Sequence, residues 1–169
     1  DLLPVDATSE ARLGRELARL HGVTGSGFGL DRDNAIGATE QPNGTGAQWP
    51  AFWRERRLGF QLDLAARNGH SGRLQDRGRR LADGTPVVFD PAVYYGDREA
   101  DVAMTRLFGG FGPAFYSAYD AEFPLDAGSG IRCELYNLYH VLNHLNLFGG
   151  AYRVQAEGMI DRLLAAAGH

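Results

Sequence analysis

The sequence predicts a mainly α-helical (α+β) domain with a minimal β element. Apolar residues recur at the spacing of one helix face over residues 13–20 and again over residues 135–145. A third observation is that residues 86–89, which contain the run Val-Val-Phe, give the clearest strand signal. Helices therefore dominate the prediction, and one short strand supplies the β element.

The first helix is expected to start at a cap formed by Thr8 or Ser9 and to end at Gly22. Its apolar face is predicted to be the leucines of residues 13–20. The next stretch, residues 22–50, is rich in glycine and has little periodicity. It is predicted to be a long loop, of the kind that often carries function.

Further helices are predicted on both sides of the strand. A second helix is expected over residues 51–68, and the strongly basic segment of residues 73–80 has helical potential. After the strand, helices are predicted over residues 98–108 and 114–119. A helical hairpin is expected to complete the domain.

The predicted hairpin has a first arm over residues 131–148, which Gly149 and Gly150 interrupt. Leucines of residues 135–145 form the apolar face of this arm. The second arm carries its own apolar residues, which are Val154, Ile160, Leu163 and Leu164.

Composition and charge narrow the function classes. The 169 residues, 44% of them hydrophobic, suit a single domain over residues 1–169. A net charge of −4 gives no electrostatic footprint for nucleic acid or an anionic membrane, so neither partner is expected. No apolar run approaches the ~18 residues that a membrane span needs, no signal peptide is recognised, and a cytoplasmic location is expected.

Cysteine and lysine usage add two constraints. The single cysteine, Cys133, cannot form an internal disulfide, which agrees with a reducing compartment. All 17 basic residues are arginine. Because the chain has no lysine, it cannot supply a Schiff-base lysine or a lysine that clamps ATP phosphates.

Two side-chain patterns could carry chemistry but favour structural roles. His140 and His144 have the i, i+4 spacing of a zinc-binding helix, yet Val141 occupies the place of the expected glutamate and no third ligand can be named. Cys133 lies in an apolar helical pattern, where a small buried hydrophobe is expected rather than a nucleophile. Nucleophile-elbow, P-loop and dinucleotide-binding motifs are missing from the sequence.

Acidic residues after the strand are the strongest candidates. Asp90 follows an apolar strand directly, which suits either a Mg²⁺ ligand or a cap of the turn before Pro91. Asp97 and Asp101 flank the start of the next helix, where each could cap the helix or complement its dipole. Composition and spacing do not decide between the two interpretations of Asp90.

Long stretches of the sequence resemble a known family. They include FDPAVYYGDREADVAMTRLFGGFGPAFYSAY and LYNLYHVLNHLNLFGGAY, with LGRELARLH, FGLDRDNAIG, QPNG and FWRERRLGFQL upstream. Together they resemble the C-terminal lobe of the fructosamine kinase (ketosamine-3-kinase) family, which belongs to the protein-kinase-like phosphotransferases. The resemblance covers nearly the whole chain and implies the helical C-terminal lobe of a protein-kinase-like fold.

The resemblance implies an activity and a set of site residues. Family members use ATP and Mg²⁺ to phosphorylate the sugar 3-hydroxyl of ketosamines, small or protein-linked, a reaction assigned to repair of glycation. By this resemblance Asp90 binds the metal, and Asp101 is a structural aspartate that steadies neighbouring loops. Substrate-binding positions are implied at Asn34, Gln41, Tyr94 and Tyr95.

The sequence also departs from the family pattern. The family's N-terminal lobe with its clamping lysine is expected to be absent, as is the catalytic loop H-G-D-L-W-x-G-N, which should lie around residues 79–81. No catalytic residue is therefore assigned, and the chain alone is expected to be inactive and not to bind ATP and Mg²⁺ productively. The alternative is a non-catalytic kinase-like binding or regulatory module, whose exposed apolar surface would favour a homodimer or another partner.

Overall fold

The structure is a computed structural model that describes residues 6–84, the backbone of residues 91–92, and residues 96–169. Its helices are α1 (Ala7–His21), α2 (Trp49–Trp53), α3 (Phe60–Arg67), α4 (Arg73–Gly84), α5 (Glu99–Leu107), α6 (Pro113–Glu122), α7 (Ser129–Phe148) and α8 (Arg153–Ala166). Its strands are β1 (Asn34–Ile36), β2 (Thr39–Gln41), β3 (Pro91–Ala92) and β4 (Gly96–Asp97). The predicted mainly helical class is confirmed.

A capping box starts α1 earlier than predicted. The Asp6 carboxylate accepts a hydrogen bond from the Ser9 backbone N–H at 2.8 Å, and the Ser9 hydroxyl accepts one from the Asp6 backbone N–H at 2.9 Å. The cap residue is therefore Asp6, and the prediction of Thr8 or Ser9 was wrong. Gly22 ends the helix as predicted.

The buried face of α1 also differs from the prediction. Leu13 and Leu20 are 47% and 48% exposed, whereas Gly14, Ala18 and His21 are buried. This face packs against α6, and a Cβ on Gly14 would lie 2.3 Å from the carbonyl oxygen of Phe115. Gly14 and Ala18 lie on this face because the two helices approach each other closely, and of the predicted leucines Leu17 packs against a buried cluster.

Helix α7 forms the centre of the core. It packs against α3, α5 and α8, and its predicted leucine face is confirmed because Leu135, Leu138, Leu142 and Leu145 are all buried. The second arm is confirmed as α8. Its predicted apolar residue Val154 is 79% exposed, so that assignment was wrong.

The helix predicted over residues 51–68 is continuous but irregular. A π-helical turn, Arg54–Gly59, joins α2 to α3. A Cβ on Gly59 would lie 2.6 Å from the carbonyl oxygen of Arg54, so this wide turn requires glycine. The helical potential of residues 73–80 is confirmed as α4.

A β-hairpin lies inside the segment predicted to be a loop. Strands β1 and β2 pair antiparallel with Asn34 opposite Gln41 and Ile36 opposite Thr39. Gly37, with φ of 60°, permits the tight turn between them. The loop prediction was wrong here because each strand is only three residues long and lacks an apolar run.

A second, smaller hairpin precedes α5. Strand β3 pairs antiparallel with β4, with Pro91 opposite Asp97. The strand predicted over residues 86–89 lies outside the described residues. Within the described ranges, the chain contains no helix that is long and apolar enough to cross a bilayer.

Candidate functional site

The predicted site residues fall in three places. Asp90, Tyr94 and Tyr95 lie outside the described residues, so their predicted roles in metal and substrate binding stay predictions. Asn34 and Gln41 lie on the β1–β2 hairpin. The remaining predicted residue, Asp101, lies on α5 and lines a cleft that Gln41 also lines.

This cleft, which we call the Asp101 cleft, lies between the β1–β2 hairpin, the end of α2, and helices α5 and α7. Its volume is about 190 Å³. The residues that line it and matter here are Ile36, Gln41, Trp53, Asp101, Tyr139 and His140. Most of this wall is apolar or aromatic, and its polar groups are few.

A hydrogen bond fixes Gln41 in the wall of the cleft. Its Nε2 donates to the Tyr139 hydroxyl at 2.7 Å, and Gln41 is 8% exposed. Burial raises the pKa of Tyr139, so its hydroxyl stays neutral. Asn34, by contrast, does not line the cleft, and its side-chain oxygen accepts a hydrogen bond from Asn43 at 2.9 Å.

A chain of hydrogen bonds holds Asp101. The Arg98 guanidinium donates to the Tyr119 hydroxyl at 3.2 Å, and this hydroxyl lies 2.7 Å from Nδ1 of His21. Nε2 of His21 lies 3.2 Å from Oδ2 of Asp101. Because arginine can only donate, the Tyr119 hydroxyl accepts from Arg98 and can itself donate to Nδ1, while Nε2–H of His21 donates to Asp101.

The histidines of α7 do not form a metal centre with other described residues. Nδ1 of His144 lies 2.7 Å from the carbonyl oxygen of His140, so it donates within the helix. Burial, with a smaller contribution from His144, lowers the pKa of His140 to about 4. Over the ranges that the structure describes, no group of three or more His, Cys, Asp or Glu residues could hold a metal ion.

Cys133 is a core residue of α7. It is 5% exposed, and burial raises the pKa of its thiol to about 11. A thiol with a raised pKa carries little thiolate at neutral pH, so it is a poor nucleophile. The expected structural role of Cys133 agrees with this geometry.

A buried acidic cluster beside β4 was only partly predicted. Asp97 is 3% exposed, and its Oδ1 accepts a hydrogen bond from the Glu99 backbone N–H at 2.9 Å, at the start of α5, whose N-cap residue is Arg98. Its Oδ2 accepts a hydrogen bond from the Tyr136 hydroxyl, which in turn accepts one from Trp49 at 3.1 Å. Burial raises the pKa of Asp97 to about 6.

Sequence analysis missed the arginine that supports the hairpin. Arg57 is fully buried and donates to the Pro42 carbonyl oxygen at 2.6 Å and to Oδ1 of Asn43 at 2.7 Å. The Asn43 backbone N–H donates to Asp33 at 2.6 Å. The QPNG run of residues 41–44 was noted as part of the family resemblance. Its partner, Arg57, lies in a separate helical segment and belongs to no recognisable sequence motif.

Comparison with known proteins decides the family. The family model for fructosamine kinase matches residues 1–81 and 72–166. The chain belongs to the fructosamine kinase family. The two matched segments share residues 72–81, which include the place where the family's catalytic loop is expected and the sequence lacks it.

Curated relatives and solved structures agree on the family. A probable ketoamine kinase of Synechocystis is 44% identical, with 90% of this chain and 61% of the relative covered. The chloroplastic protein-ribulosamine 3-kinase of Arabidopsis thaliana is 38% identical, with 92% and 57% covered. The chain therefore spans less than two-thirds of the length of these two relatives.

Two crystal structures show the same fold. A candidate fructosamine-3-kinase from Haemophilus somnus is 27% identical with a TM-score of 0.81, over 97% of this chain and 66% of that protein. A second candidate fructosamine-3-kinase, from Thermobifida fusca, is 28% identical with a TM-score of 0.82, over 98% and 68%. The predicted family resemblance is confirmed.

Proposed function

We propose that the chain is the sugar-binding part of an ATP-dependent ketoamine kinase, whose whole protein phosphorylates the sugar 3-hydroxyl of ketosamines and acts in the repair of glycation. The observation that carries this proposal is the family match, which extends over residues 1–81 and 72–166. The names of the relatives, ketoamine kinase and protein-ribulosamine 3-kinase, support a sugar amine as substrate. We also propose the cytoplasm as its location.

The described part of the chain offers groups for the sugar rather than for the nucleotide. Gln41 is anchored by Tyr139, so its side-chain carbonyl can accept a hydrogen bond from a ligand hydroxyl. Asp101 lines the same cleft with a side chain that is 43% exposed. Acceptors on a partly apolar wall suit a polyhydroxylated ligand that also carries an amine.

The residues present do not fit a complete site for ATP and Mg²⁺. A phosphoryl-transfer site needs a cation on the nucleotide phosphates, a base for the acceptor hydroxyl and at least two metal ligands. The sequence contains no lysine and no His-Gly-Asp loop, so of these groups only Asp90 is assigned. We derive no phosphoryl-transfer step from this chain and propose that it does not turn over ATP by itself.

Titration calorimetry tests the sugar-amine assignment. The 169-residue chain is titrated with 1-amino-1-deoxyfructose, a simple ketoamine, and with fructose, which has the same sugar without the amine. We expect the ketoamine to bind and fructose to bind about tenfold more weakly or not at all, because one charge-assisted contact is lost. Equal affinities, or no ketoamine binding, would contradict the proposal.

A second candidate function is a non-catalytic kinase-like binding module that acts as a homodimer. An exposed aromatic patch favours it: Phe108 and Phe148 are 57% and 67% exposed and flank His144, with ring centroids 5.0 and 5.4 Å from the imidazole. Exposed apolar surface of this kind favours self-association. Sedimentation equilibrium should show that the wild type is a dimer and that Phe148→Ser disrupts this dimer. The control, Leu13→Ser on α1, should leave the dimer intact. A monomeric wild type would exclude the homodimeric module.

A further inference from the structure

The Asp101 cleft carries one formal charge at neutral pH. Among the described residues that line it, only Asp101 is acidic and none is a lysine or arginine. His140 also lines the cleft, and its imidazole stays neutral because burial lowers its pKa to about 4. No cationic side chain in the wall therefore neutralises the carboxylate.

The hydrogen-bond chain through His21 orients this carboxylate. Oδ2 of Asp101 lies 3.2 Å from Nε2 of His21, which is itself buried and fixed by Tyr119. Oδ1 has no hydrogen-bond partner among the described residues. A partly exposed carboxylate that is held in position beside a cleft is complementary to an ammonium group, which presents several N–H donors.

The side chain of Trp53 lines the same cleft. Trp53 is 3% exposed, and its indole N–H has no hydrogen-bond partner within the described part of the chain. This nitrogen has almost no accessible surface, so a ligand in the cleft does not reach it. Trp53 and Tyr139 also give the cleft aromatic walls, and an organic cation packs well against such walls.

We propose that the Asp101 cleft binds the protonated amine of a ketoamine, with Asp101 as its counter-ion and the rings of Trp53 and Tyr139 as its aromatic walls. The protonated amine supplies the positive charge that this carboxylate complements. This inference rests on the proposed function and adds the part of the chain that recognises the amine.

Two substitutions test the site on the intact chain. Asp101→Asn removes the charge and keeps an oxygen that can accept from His21. Met104→Lys places an ammonium one helical turn along α5 from Asp101, where it competes with the ligand, and Met104 is a half-exposed residue of the cleft wall. Met104→Gln has a similar length without charge, and Asp31→Asn removes an exposed carboxylate from the loop before β1.

Calorimetric titration with 1-amino-1-deoxyfructose should separate these variants. We expect Asp101→Asn and Met104→Lys to weaken binding about tenfold or more, because a charge-assisted contact is lost or blocked. Asp31→Asn should stay within about twofold of the wild type, and Met104→Gln should lose clearly less affinity than Met104→Lys. Circular dichroism of each variant checks that the fold is intact.

A second ligand, 2-aminoethanol, separates this inference from the proposed function. It carries an ammonium and a hydroxyl on adjacent carbons but no sugar. Binding that depends on Asp101, without binding of the ketoamine, would support the amine site and overturn the ketoamine assignment. If the ketoamine binds and neither Asp101→Asn nor Met104→Lys weakens its binding, the amine site is overturned and the proposed function stands. If the chain binds neither the ketoamine nor 2-aminoethanol, both are overturned.

Discussion

The Tyr136 hydroxyl donates a hydrogen bond to the buried carboxylate of Asp97, which links the central helix α7 to strand β4. This carboxylate is 3% exposed, and burial raises its pKa to about 6. Strand β4 belongs to the hairpin that follows Asp90 in the chain. An ionisable group whose charge is costly to bury therefore lies seven residues after the predicted metal ligand in the sequence.

Asp97 should make the stability of the fold depend on pH. Because its pKa is raised in the folded state, its contribution to stability is complete below about pH 4, and it is lost as pH rises through about 6. A shift of this size corresponds to about 3 kcal/mol at most. We expect Asp97→Asn to gain stability relative to the wild type between pH 4 and pH 7, measured by urea denaturation.

The control for Asp97→Asn is the same substitution at a carboxylate that is not buried. Asp31→Asn changes the net charge equally at an exposed position, so its stability difference from the wild type should change little over the same pH range. A difference between Asp97→Asn and the wild type that does not vary with pH would contradict the buried, raised-pKa state of Asp97.

The ion pair between Arg132 and Glu99 should be essential for stability. Two guanidinium nitrogens of Arg132 donate to the two Glu99 oxygens at 2.8 and 2.7 Å, and the Glu99 side chain is 7% exposed. Arg132→Met would leave a buried carboxylate without its partner, at a cost of about 3–5 kcal/mol in the free energy of unfolding. Urea denaturation measures the loss.

A matched surface pair provides the control for this ion pair. Arg162 donates to Glu134 at 2.7 Å, but its side chain is 62% exposed. Arg162→Met should therefore cost at most about 1 kcal/mol. Equal losses in the free energy of unfolding for the two substitutions would show that burial does not determine how much the Arg132–Glu99 pair stabilises the fold.

Gly14 should be required for the packing of α1 on α6. A Cβ at this position would lie 2.3 Å from the Phe115 carbonyl oxygen, so Gly14→Ala must separate the helices and should cost about 1–3 kcal/mol. Gly130, in α7, has no atom within 4 Å of a built Cβ, so Gly130→Ala should be neutral or stabilise by up to about 1 kcal/mol. Thermal unfolding of both variants checks this; a stabilised Gly14→Ala would refute the close contact.

Cys133 should resist chemical modification while the protein is folded. Burial raises the pKa of its thiol to about 11, so little of the reactive thiolate forms near neutral pH. Burial also keeps reagents away from the sulfur. Iodoacetamide at pH 8 should leave the native chain unmodified by mass spectrometry, and it should label the chain in denaturant. Rapid labelling of the native protein would show that the thiol is accessible and reactive.

The parts of the fold that depend on local pattern were predictable from the sequence. Strictly spaced leucines identified α7, and Gly22 marked the end of α1. Leu13 and Leu20 were wrongly assigned to the buried face of α1, because that face is set by the close approach of α6 to Gly14, which local hydrophobicity does not encode. The β1–β2 hairpin was missed because strands of three residues give almost no periodic signal.

The site depends on tertiary contacts that one sequence does not reveal. Gln41 was identified through the family resemblance, but its contact with Tyr139 joins the hairpin to α7. Asp101 was predicted as a structural residue, and its contact with His21 does join α5 to α1. That both side chains line one cleft follows only from how the hairpin packs against α5 and α7.

We propose that this chain keeps the sugar-binding side of a ketoamine kinase without the groups that transfer phosphate. The most direct test measures ADP release by the 169-residue chain with ATP, Mg²⁺ and 1-amino-1-deoxyfructose, beside an Asp90→Ala variant. We predict that both proteins release ADP only at the background rate, because the chain has no lysine and no His-Gly-Asp loop. Ketoamine-dependent ADP release by the wild type that Asp90→Ala abolishes would contradict the claim.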